Sequence, residues 1–177
     1  MIFTPTALAG VWIIDPEPVA DERGMFARTW CAREFAEHGL NAQIAQCNVS
    51  FNHRRGTVRG MHYQLAPHQE AKLVRCTAGA IFDVALAVRP GSPTWGQHVG
   101  VTLRAGERRM LYIPEGCAHG FQTLEDNSEV FYQMSEFYAP ALGRGVRWDD
   151  PAFGIVWPAP VTMINERDRS YPDVSRP

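Results

Sequence analysis

Two short stretches of the chain carry the residue types that proton-transfer chemistry needs. Residues 56–64, GTVRGMHYQ, place Arg59 three positions before His62. Residues 114–121, PEGCAHGF, lead from a turn into His119. Histidine titrates near neutral pH and serves as a general base, whereas arginine binds phosphate and carboxylate groups. Two hairpin-like segments that each carry an inward histidine predict a site in the mouth of a small β-barrel.

His62 is the candidate general base. A base that removes a carbon-bound proton next to a carbonyl needs a cation to stabilise the enolate that forms. Lys72 follows His62 by ten residues, on the next predicted strand, and a hairpin between the two strands would bring the side chains together. A lone histidine on a strand is more often structural than catalytic, but Arg59, His62 and Lys72 on adjacent strands favour catalysis.

The same histidines are compatible with a metal site. The spacing within residues 56–64 and 114–121 resembles the two halves of the cupin pattern, in which histidines and a glutamate surround one ion. Gln64 stands at a ligand position, and an amide is a poor ligand for a soft divalent metal. Glu70 could still complete a site with the two histidines, and the later histidine could equally be a packed residue beside a turn. We favour the interpretation without metal or other cofactor.

Aromatic and basic side chains supply further candidates. Tyr132 and Tyr138 are six residues apart in EVFYQMSEFY, so a regular strand would place both on one face. A phenol, with an unperturbed pKa of about 10, can donate a proton to a carbanion or stack on a nucleobase, although aromatic stripes in β-proteins are usually core. Arg23 and Arg59, each beside a glycine, are candidates for binding a diphosphate.

Size and composition exclude several function classes. The 177 residues favour one domain over residues 1–177. Lys and Arg total 17 against 19 Asp and Glu, which predicts no nucleic-acid partner. No stretch approaches the roughly 20 apolar residues of a membrane span, and the first residues lack a signal-peptide pattern. The four cysteines lack CxxC spacing and fit reduced thiols, so we expect a cytoplasmic protein.

The elements that must position these residues are predicted to be short strands. Period-two and β-rich runs predict strands over residues 11–14, 25–30, 43–50, 57–64, 71–77, 80–88, 98–103, 109–113, 120–123 and 129–137. One helix is predicted over residues 31–38, with Gly39 as its stop. The tail from residue 139 is predicted to be an ordered wrap with short helical turns. So many short strands indicate a sandwich or barrel.

Nine motifs, in order from residue 21 to residue 168, resemble the dTDP-4-dehydrorhamnose 3,5-epimerase family. They are DERGMF, QCNVS, RGMHYQ, EAKLVRCTAGAIFDV, SPTWG, YIPEGCAHGFQTL, FYQMSEFY, WDDPAFGIVWP and INERD. The family consists of cofactor-independent cupins that act on nucleotide-linked 4-keto-6-deoxy sugars. The resemblance implies an all-β, cupin-type jelly-roll barrel with a short N-terminal helix, and a homodimer with strand exchange at its N-terminal region.

The resemblance also implies roles for individual residues. His62 would be the base, held by Asp168 of INERD. Lys72 would stabilise the enolate oxygen, and Tyr132 would supply a proton on the opposite face. The residues implied in substrate binding or in support of the site are Phe26 and Tyr138 at the nucleoside, Gln46 and Asn48 near its base, Arg23 and Arg59 at the diphosphate, and Asp83 and His119 behind the site.

Two positions depart from the family pattern. Arg28, at the predicted nucleoside end of the pocket, stands where the family usually has a glutamate, which bears on the choice of nucleotide base. Ala87 stands where a second aspartate is usual in the strand that keeps Asp83. Since the catalytic set is intact, the sequence predicts an epimerase that inverts C3, C5 or both, next to a C4 ketone. The alternatives are a metal-dependent cupin, such as a dioxygenase or sugar isomerase, and a non-catalytic sugar-binding cupin.

Overall fold

Short strands make up most of the computed structural model, which describes residues 1–174. Within that range the strands are β1 (Ile2–Pro5), β2 (Trp12–Asp15), β3 (Val19–Asp21), β4 (Gly24–Phe26), β5 (Gln46–Asn52), β6 (Val58–Gln64), β7 (Lys72–Ala78), β8 (Ala80–Ala87), β9 (His98–Arg104), β10 (Met110–Ile113), β11 (Cys117–Thr123), β12 (Ser128–Met134) and β13 (Gly143–Gly145). The helices are α1 (Ala32–Glu37) and α2 (Glu166–Arg169).

Two antiparallel sheets enclose the core. One has the strand order β1-β2-β10-β7-β12-β5, and the other has the order β13-β6-β11-β8-β9. Alternate residues of each strand point inward, so that Val74 and Leu111 of the first sheet pack with Ile81 and Phe121 of the second. The predicted all-β jelly-roll architecture is confirmed. Among residues 1–174, no helix is long and apolar enough to cross a membrane.

The predicted strands agree best with the observed strands where the β-rich sequence pattern is longest. The predicted strand over residues 129–137 ends at Met134, so Tyr138 lies beyond it and its even spacing from Tyr132 does not determine its orientation. The sequence patterns missed β1, β3 and β13, whereas α2 lies in the tail that was predicted to contain short helical turns. Strand β13 consists of Gly, Arg and Gly, which are not strand-forming residues, and it is extended because it pairs with β6.

The C-terminal wrap carries α2 into contact with β6. The Asn165 side chain caps this short helix by accepting a hydrogen bond from the amide of Asp168 at 2.7 Å. Further along, the amide of Val174 donates to Asp150 Oδ2 at 2.7 Å. The tail is therefore anchored at both ends, and it delivers Asp168 to the strand that carries His62.

Strands β3 and β4 form a separate hairpin. They pair with each other in a two-stranded sheet, outside both larger sheets. Its apolar side chains face solvent, since Val19 is 71% exposed and Phe26 is 70% exposed.

Candidate active site

A cavity of about 450 Å³ opens between the two sheets. This volume is in the range of small-molecule sites, on the order of 300–1,000 Å³. Strands β6 and β11 line one side of the cavity, β7 and β12 line the other, and α2 lies at its rim. The polar residues along its wall include Arg59, His62, Glu70, Lys72, His119, Tyr132, Tyr138, Arg144, Arg167 and Asp168.

An extra residue in β6 places Arg59 and His62 on the same face. Residues three apart in a regular strand point to opposite faces. Here His62 pairs with His119 and Arg59 pairs with Phe121, so three steps along β6 oppose two steps along β11. This irregularity is a β-bulge, which re-aims the side chains that follow it. Both candidate residues consequently enter the cavity.

His62 and Asp168 form a tightly bonded pair. His62 Nε2 lies 2.6 Å from Asp168 Oδ1, and Asp168 is fully buried. The amide of Gly60 donates to the second carboxylate oxygen at 3.1 Å. Gly60 adopts a φ of 127°, and a Cβ there would lie 2.4 Å from Gly120 Cα, so the position requires glycine.

The environment keeps the Asp168 carboxyl ionised. Burial raises its pKa, but the hydrogen bond and charge of His62, with the amide of Gly60, outweigh burial and hold the pKa below its ordinary value. An ionised carboxylate at Nε2 orients the imidazole and stabilises its protonated form. Nδ1 of His62 is then the ring nitrogen available to accept a proton, and the side chain is 41% exposed.

Lys72 reaches His62 from the opposite sheet. The expected hairpin between their strands is wrong, because β7 pairs with β10 and β12 and not with β6. The Lys72 ammonium nevertheless donates to the backbone oxygen of His62 at 3.2 Å. It also lies 2.9 Å from Glu70 Oε1, in an ion pair whose side chains are almost completely buried. The pair fixes a cation in the cavity wall.

Tyr132 faces the cavity from β12. Burial raises the pKa of its phenol, and the nearby Arg59 guanidinium offsets only part of this rise. The phenol therefore stays protonated at neutral pH, as a proton donor must. Asn48 lies directly opposite on β5, and its amide contacts Met134 Sδ at 3.5 Å.

His119 and Asp83 form a second histidine–carboxylate pair behind His62. His119 Nε2 lies 2.7 Å from Asp83 Oδ1, and both residues are buried. Because His119 is the direct cross-strand partner of His62, the second pair supports the wall of the cavity. The supporting role that the resemblance implies for these two residues stays a prediction.

The residues of the hypothetical metal site have other partners. Glu70 is paired with Lys72. The Gln64 amide donates to the backbone oxygen of His68 at 2.8 Å and accepts from the amide of Ala139 at 2.6 Å. Within residues 1–174, no group of three or more His, Cys, Asp or Glu side chains is arranged to hold a metal ion.

Tyr138 stands at the mouth of the cavity on a loop that two glutamines hold. Gln46 Oε1 accepts a hydrogen bond from the amide of Tyr138 at 2.6 Å. The Gln64 side chain bonds the backbone on both sides of Tyr138: its amide nitrogen donates to the backbone oxygen of Phe137, and its amide oxygen accepts from the amide of Ala139. Gln46 therefore contacts the loop backbone, while the aromatic ring of Tyr138 lines the cavity.

Three predicted binding residues lie away from the cavity of their own chain. The Arg23 side chain is 85% exposed and pairs with Asp21 in the β3–β4 hairpin. Phe26 is exposed on the same hairpin. Arg28 follows the hairpin, and its guanidinium lies 3.6 Å from Glu34 Oε1. The structure does not bring these side chains to the residues around His62.

Two arginines that sequence reasoning missed line the cavity. Arg144 lies in β13, and Arg167 directly precedes Asp168. Only weak sequence signals pointed to these two arginines. Arg167 belongs to the INERD motif. Arg144 has a glycine on each side, and the predicted phosphate-binding residues Arg23 and Arg59 each have one neighbouring glycine. Together with Arg59 and Lys72 they give the cavity wall four positive side chains, against the two carboxylates of Glu70 and Asp168.

Comparisons with known proteins agree with this geometry. Residues 5–176 match the family model described as dTDP-4-dehydrorhamnose 3,5-epimerase. The chain is 41% identical over 175 residues to the dTDP-4-dehydrorhamnose 3,5-epimerase of Sinorhizobium fredii, covering 98% of this chain and 90% of that protein. It is 40% identical to the dTDP-4-dehydrorhamnose 3-epimerase of Streptomyces niveus, covering 96% and 82%.

A solved structure is similar over the whole fold. It is the crystal structure of dTDP-4-dehydrorhamnose 3,5-epimerase from Bacillus anthracis strain Ames with TDP and PPi bound. The superposition has a TM-score of 0.93 at 33% identity, and it covers 98% of this chain and 99% of that one. The likeness extends through the C-terminal wrap that carries Asp168.

Proposed function

The chain belongs to the dTDP-4-dehydrorhamnose 3,5-epimerase family, and on this premise we propose that His62 is the base with which it epimerises a dTDP-linked 4-keto-6-deoxy sugar. The observation that carries the proposal is the His62–Asp168 pair, 2.6 Å apart, in one cavity with the Lys72 ammonium. An oriented base beside a fixed cation is what proton abstraction next to a ketone requires.

In the first half of the reaction, His62 Nδ1 removes the proton from the carbon next to the C4 ketone. The electron pair of the broken C–H bond becomes the C=C bond of an enolate, and the carbonyl π pair moves onto oxygen. Lys72 stabilises this oxygen by charge and hydrogen bonding, which in a water-poor cavity is worth far more than in solution. Asp168 stabilises the imidazolium formed at the same moment.

In the second half, the enolate is protonated from the opposite face. Tyr132 approaches from the other sheet, and its raised pKa keeps the donor proton in place until a carbanion develops. The enolate electron pair forms the new C–H bond as the ketone is restored, and before the next turnover the His62 imidazolium releases its proton to solvent while the Tyr132 phenolate takes a proton from solvent. The configuration is inverted without net oxidation or reduction, so no redox cofactor takes part.

The cationic wall is suited to the diphosphate of the substrate. Arg59 is oriented by a hydrogen bond from its Nε to Asn52 Oδ1 at 2.7 Å, which leaves other guanidinium N–H groups for phosphate oxygens. Arg144 and Arg167 add charge at the mouth. Tyr138, exposed beside them, offers its ring for stacking on the nucleobase. We assign the nucleotide to this end of the cavity.

We expect solvent deuterium to enter the sugar at C3, C5 or both when the protein acts on a dTDP-4-keto-6-deoxy sugar in D2O. The exchange should persist after exhaustive chelation, because His62 and Lys72 supply the base and the electrophile. NMR of the recovered sugar identifies the exchanging carbons. No exchange would reject the proposed epimerase, and exchange that a divalent ion must restore would favour the metal-dependent alternative.

We propose that the protein is a homodimer in which the β3–β4 hairpin completes the partner's site. The support is the position of Arg23 and Phe26, which are exposed and lie outside the cavity of their own chain. A symmetric exchange would bury both apolar hairpins and add a guanidinium to each diphosphate site. In that arrangement Arg28, which follows the hairpin, approaches the nucleoside in the partner's site from the same side as Arg23 and Phe26.

A mixing experiment tests this arrangement. We expect Arg23→Ala to lower kcat/KM about 10- to 100-fold, since a charge-assisted hydrogen bond contributes about 1.5–3 kcal/mol. Co-expression with His62→Ala should then restore activity to about a quarter of wild type, because half of the dimers are mixed and each contains one intact site. The measurement is kcat/KM per total protein after co-purification.

The matched control mixes His62→Ala with Arg59→Ala. Arg59 lines the same cavity as His62 within one chain, so this combination leaves no intact site and should not recover. If activity does not recover with Arg23→Ala, Arg23 lies in the cavity of its own chain or outside the site. If activity recovers in the control, recovery does not depend on the exchanged hairpin. Either result would contradict the proposed exchange.

A cytoplasmic location is part of the same proposal. Its support is the state of the cysteines, all four of which are free. Burial raises the pKa of Cys76 and of Cys117 to about 11, so both stay as unreactive thiols at neutral pH. Free thiols are typical of proteins in a reducing compartment.

A further inference from the structure

We infer that Tyr171 is a positioning residue for His62, held against the back of the imidazole by Arg167. The inference rests on the proposed role of His62 as the base. Tyr171 does not line the cavity, so any effect it has on catalysis must act through the residues it contacts. Four observations carry the inference.

The first observation is the space that Gly145 leaves open. A Cβ at residue 145 would lie 2.3 Å from both Cε2 and Cζ of Tyr171, so the ring occupies the volume of the missing side chain. Gly145 is the direct cross-strand partner of His62 between β13 and β6. A ring packed on Gly145 therefore lies beside His62.

The second observation is the contact between the two rings. The centroids of His62 and Tyr171 are 6.5 Å apart, with an interplanar angle of 69°. This edge-to-face arrangement is within the range that aromatic rings prefer. It places the tyrosine ring on one side of the imidazole. With the tyrosine in place, the His62 side chain is 41% exposed.

The third observation is the attachment of the tyrosine hydroxyl. Arg167 Nε donates to Tyr171 Oη at 2.8 Å, and the guanidinium carbon lies 5.9 Å from the ring centroid. The neighbouring hydroxyls of Tyr138 and Tyr171 raise the pKa of Arg167. Arg167 thus links the tyrosine behind the base to the tyrosine at the mouth of the cavity.

The fourth observation is that the chain is anchored beyond Tyr171. Asp173 lies 2.6 Å from the Arg147 guanidinium, and the amide of Val174 bonds Asp150. On the other side, Asp168 is buried against β6. Tyr171 is consequently held between two fixed points of the tail, which gives its ring a defined place.

These contacts limit the orientations of His62. Asp168 fixes Nε2, but a single hydrogen bond leaves the imidazole free to swing about that contact. The Tyr171 ring removes the space into which the imidazole would swing, and it thereby keeps Nδ1 directed into the cavity. Misplacement of a reacting group by about 1 Å can lower a rate on the order of 100-fold, so such a wall has a measurable kinetic effect.

The test is a double-mutant cycle on Tyr171 and Gly145. We expect Tyr171→Ala to lower kcat about 10- to 100-fold, whereas any change in KM that follows from freeing Arg167 should be the same in Tyr171→Phe, which loses the same hydrogen bond. Gly145→Ala should have a similar effect, since its methyl group displaces the ring. In the double variant Gly145→Ala should add almost nothing, because the ring that it displaces is already gone.

Tyr171→Phe serves as the conservative control. It keeps the ring and loses only the hydroxyl bonded to Arg167, so most of kcat should remain. An independent reading comes from NMR of the His62 imidazole, assigned by comparison with His62→Ala. Its ring-proton shifts should change in Tyr171→Ala as the ring current of the tyrosine is lost, while thermal unfolding verifies that each variant is folded.

Three outcomes would overturn the inference. They are an unchanged kcat in folded Tyr171→Ala, a loss that appears in KM instead of kcat, and single effects that multiply in the double variant. If wild-type protein itself shows no exchange in D2O, the proposed function fails instead. The imidazole shifts would still report whether the tyrosine lies against His62.

Discussion

Replacing His62 by alanine should abolish deuterium exchange at every reacting carbon and lower epimerisation at least on the order of a thousandfold. A positioned general base contributes on the order of 10²–10⁴, and the other possible bases on the described cavity wall, Glu70 and His119, are each held by a charged partner. His119 is part of the cavity wall, but it is buried and its Nε2 is bonded to Asp83, and Asp168 is fully buried beneath the imidazole. The measurement is the rate of deuterium incorporation and of product formation at saturating substrate.

His98→Ala is the matched control for this variant. His98 lies at the exposed start of β9, far in the sheet order from β6, so its loss should leave exchange and turnover unchanged. The exchange rate and turnover of Asp168→Asn should lie between those of His62→Ala and His98→Ala, because asparagine keeps the shape of the His62–Asp168 pair and removes the carboxylate charge. Appreciable exchange in His62→Ala would show that another group abstracts the proton.

The positions of the catalytic residues depend on features that periodicity does not report. Arg59 and His62 have odd spacing, and only the bulge in β6 brings them to one face. Lys72 was correctly predicted to lie near His62, but for the wrong reason, because it reaches across the barrel and not across a hairpin. Strand order within a jelly roll depends on long-range pairing, which a local pattern does not encode.

The contribution of the tail was beyond sequence patterns altogether. Helix α2 is four residues long and carries charged residues, which are typical of an exposed segment. Asp168 entered the predicted site only through the family resemblance. Arg167 belongs to the same motif, whereas Tyr171 had no comparable signal, since its significance comes from Gly145 and β13, a strand that exists because β6 pairs with it.

Replacing Tyr132 by phenylalanine should separate the two halves of the reaction. The variant keeps the base, so the first proton is still removed and can be returned or exchanged on the same face. It lacks the donor on the other face, and a lost general acid lowers a rate on the order of 10²–10⁴. We therefore expect inversion to fall by a factor in this range, and exchange with retention to fall much less.

The measurement is the ratio of deuterium in recovered substrate to deuterium in inverted product. Tyr63→Phe is the matched control, because Tyr63 is another cavity-lining phenol whose pKa burial raises, yet it lies next to His62 on β6 instead of on the opposite sheet. Its removal should leave the ratio as in wild type. An unchanged ratio in Tyr132→Phe would assign both proton transfers to one group. A changed ratio in Tyr63→Phe would show that the general acid is on the same sheet as the base. The opposite-face mechanism requires that only the phenol on β12 alters the ratio.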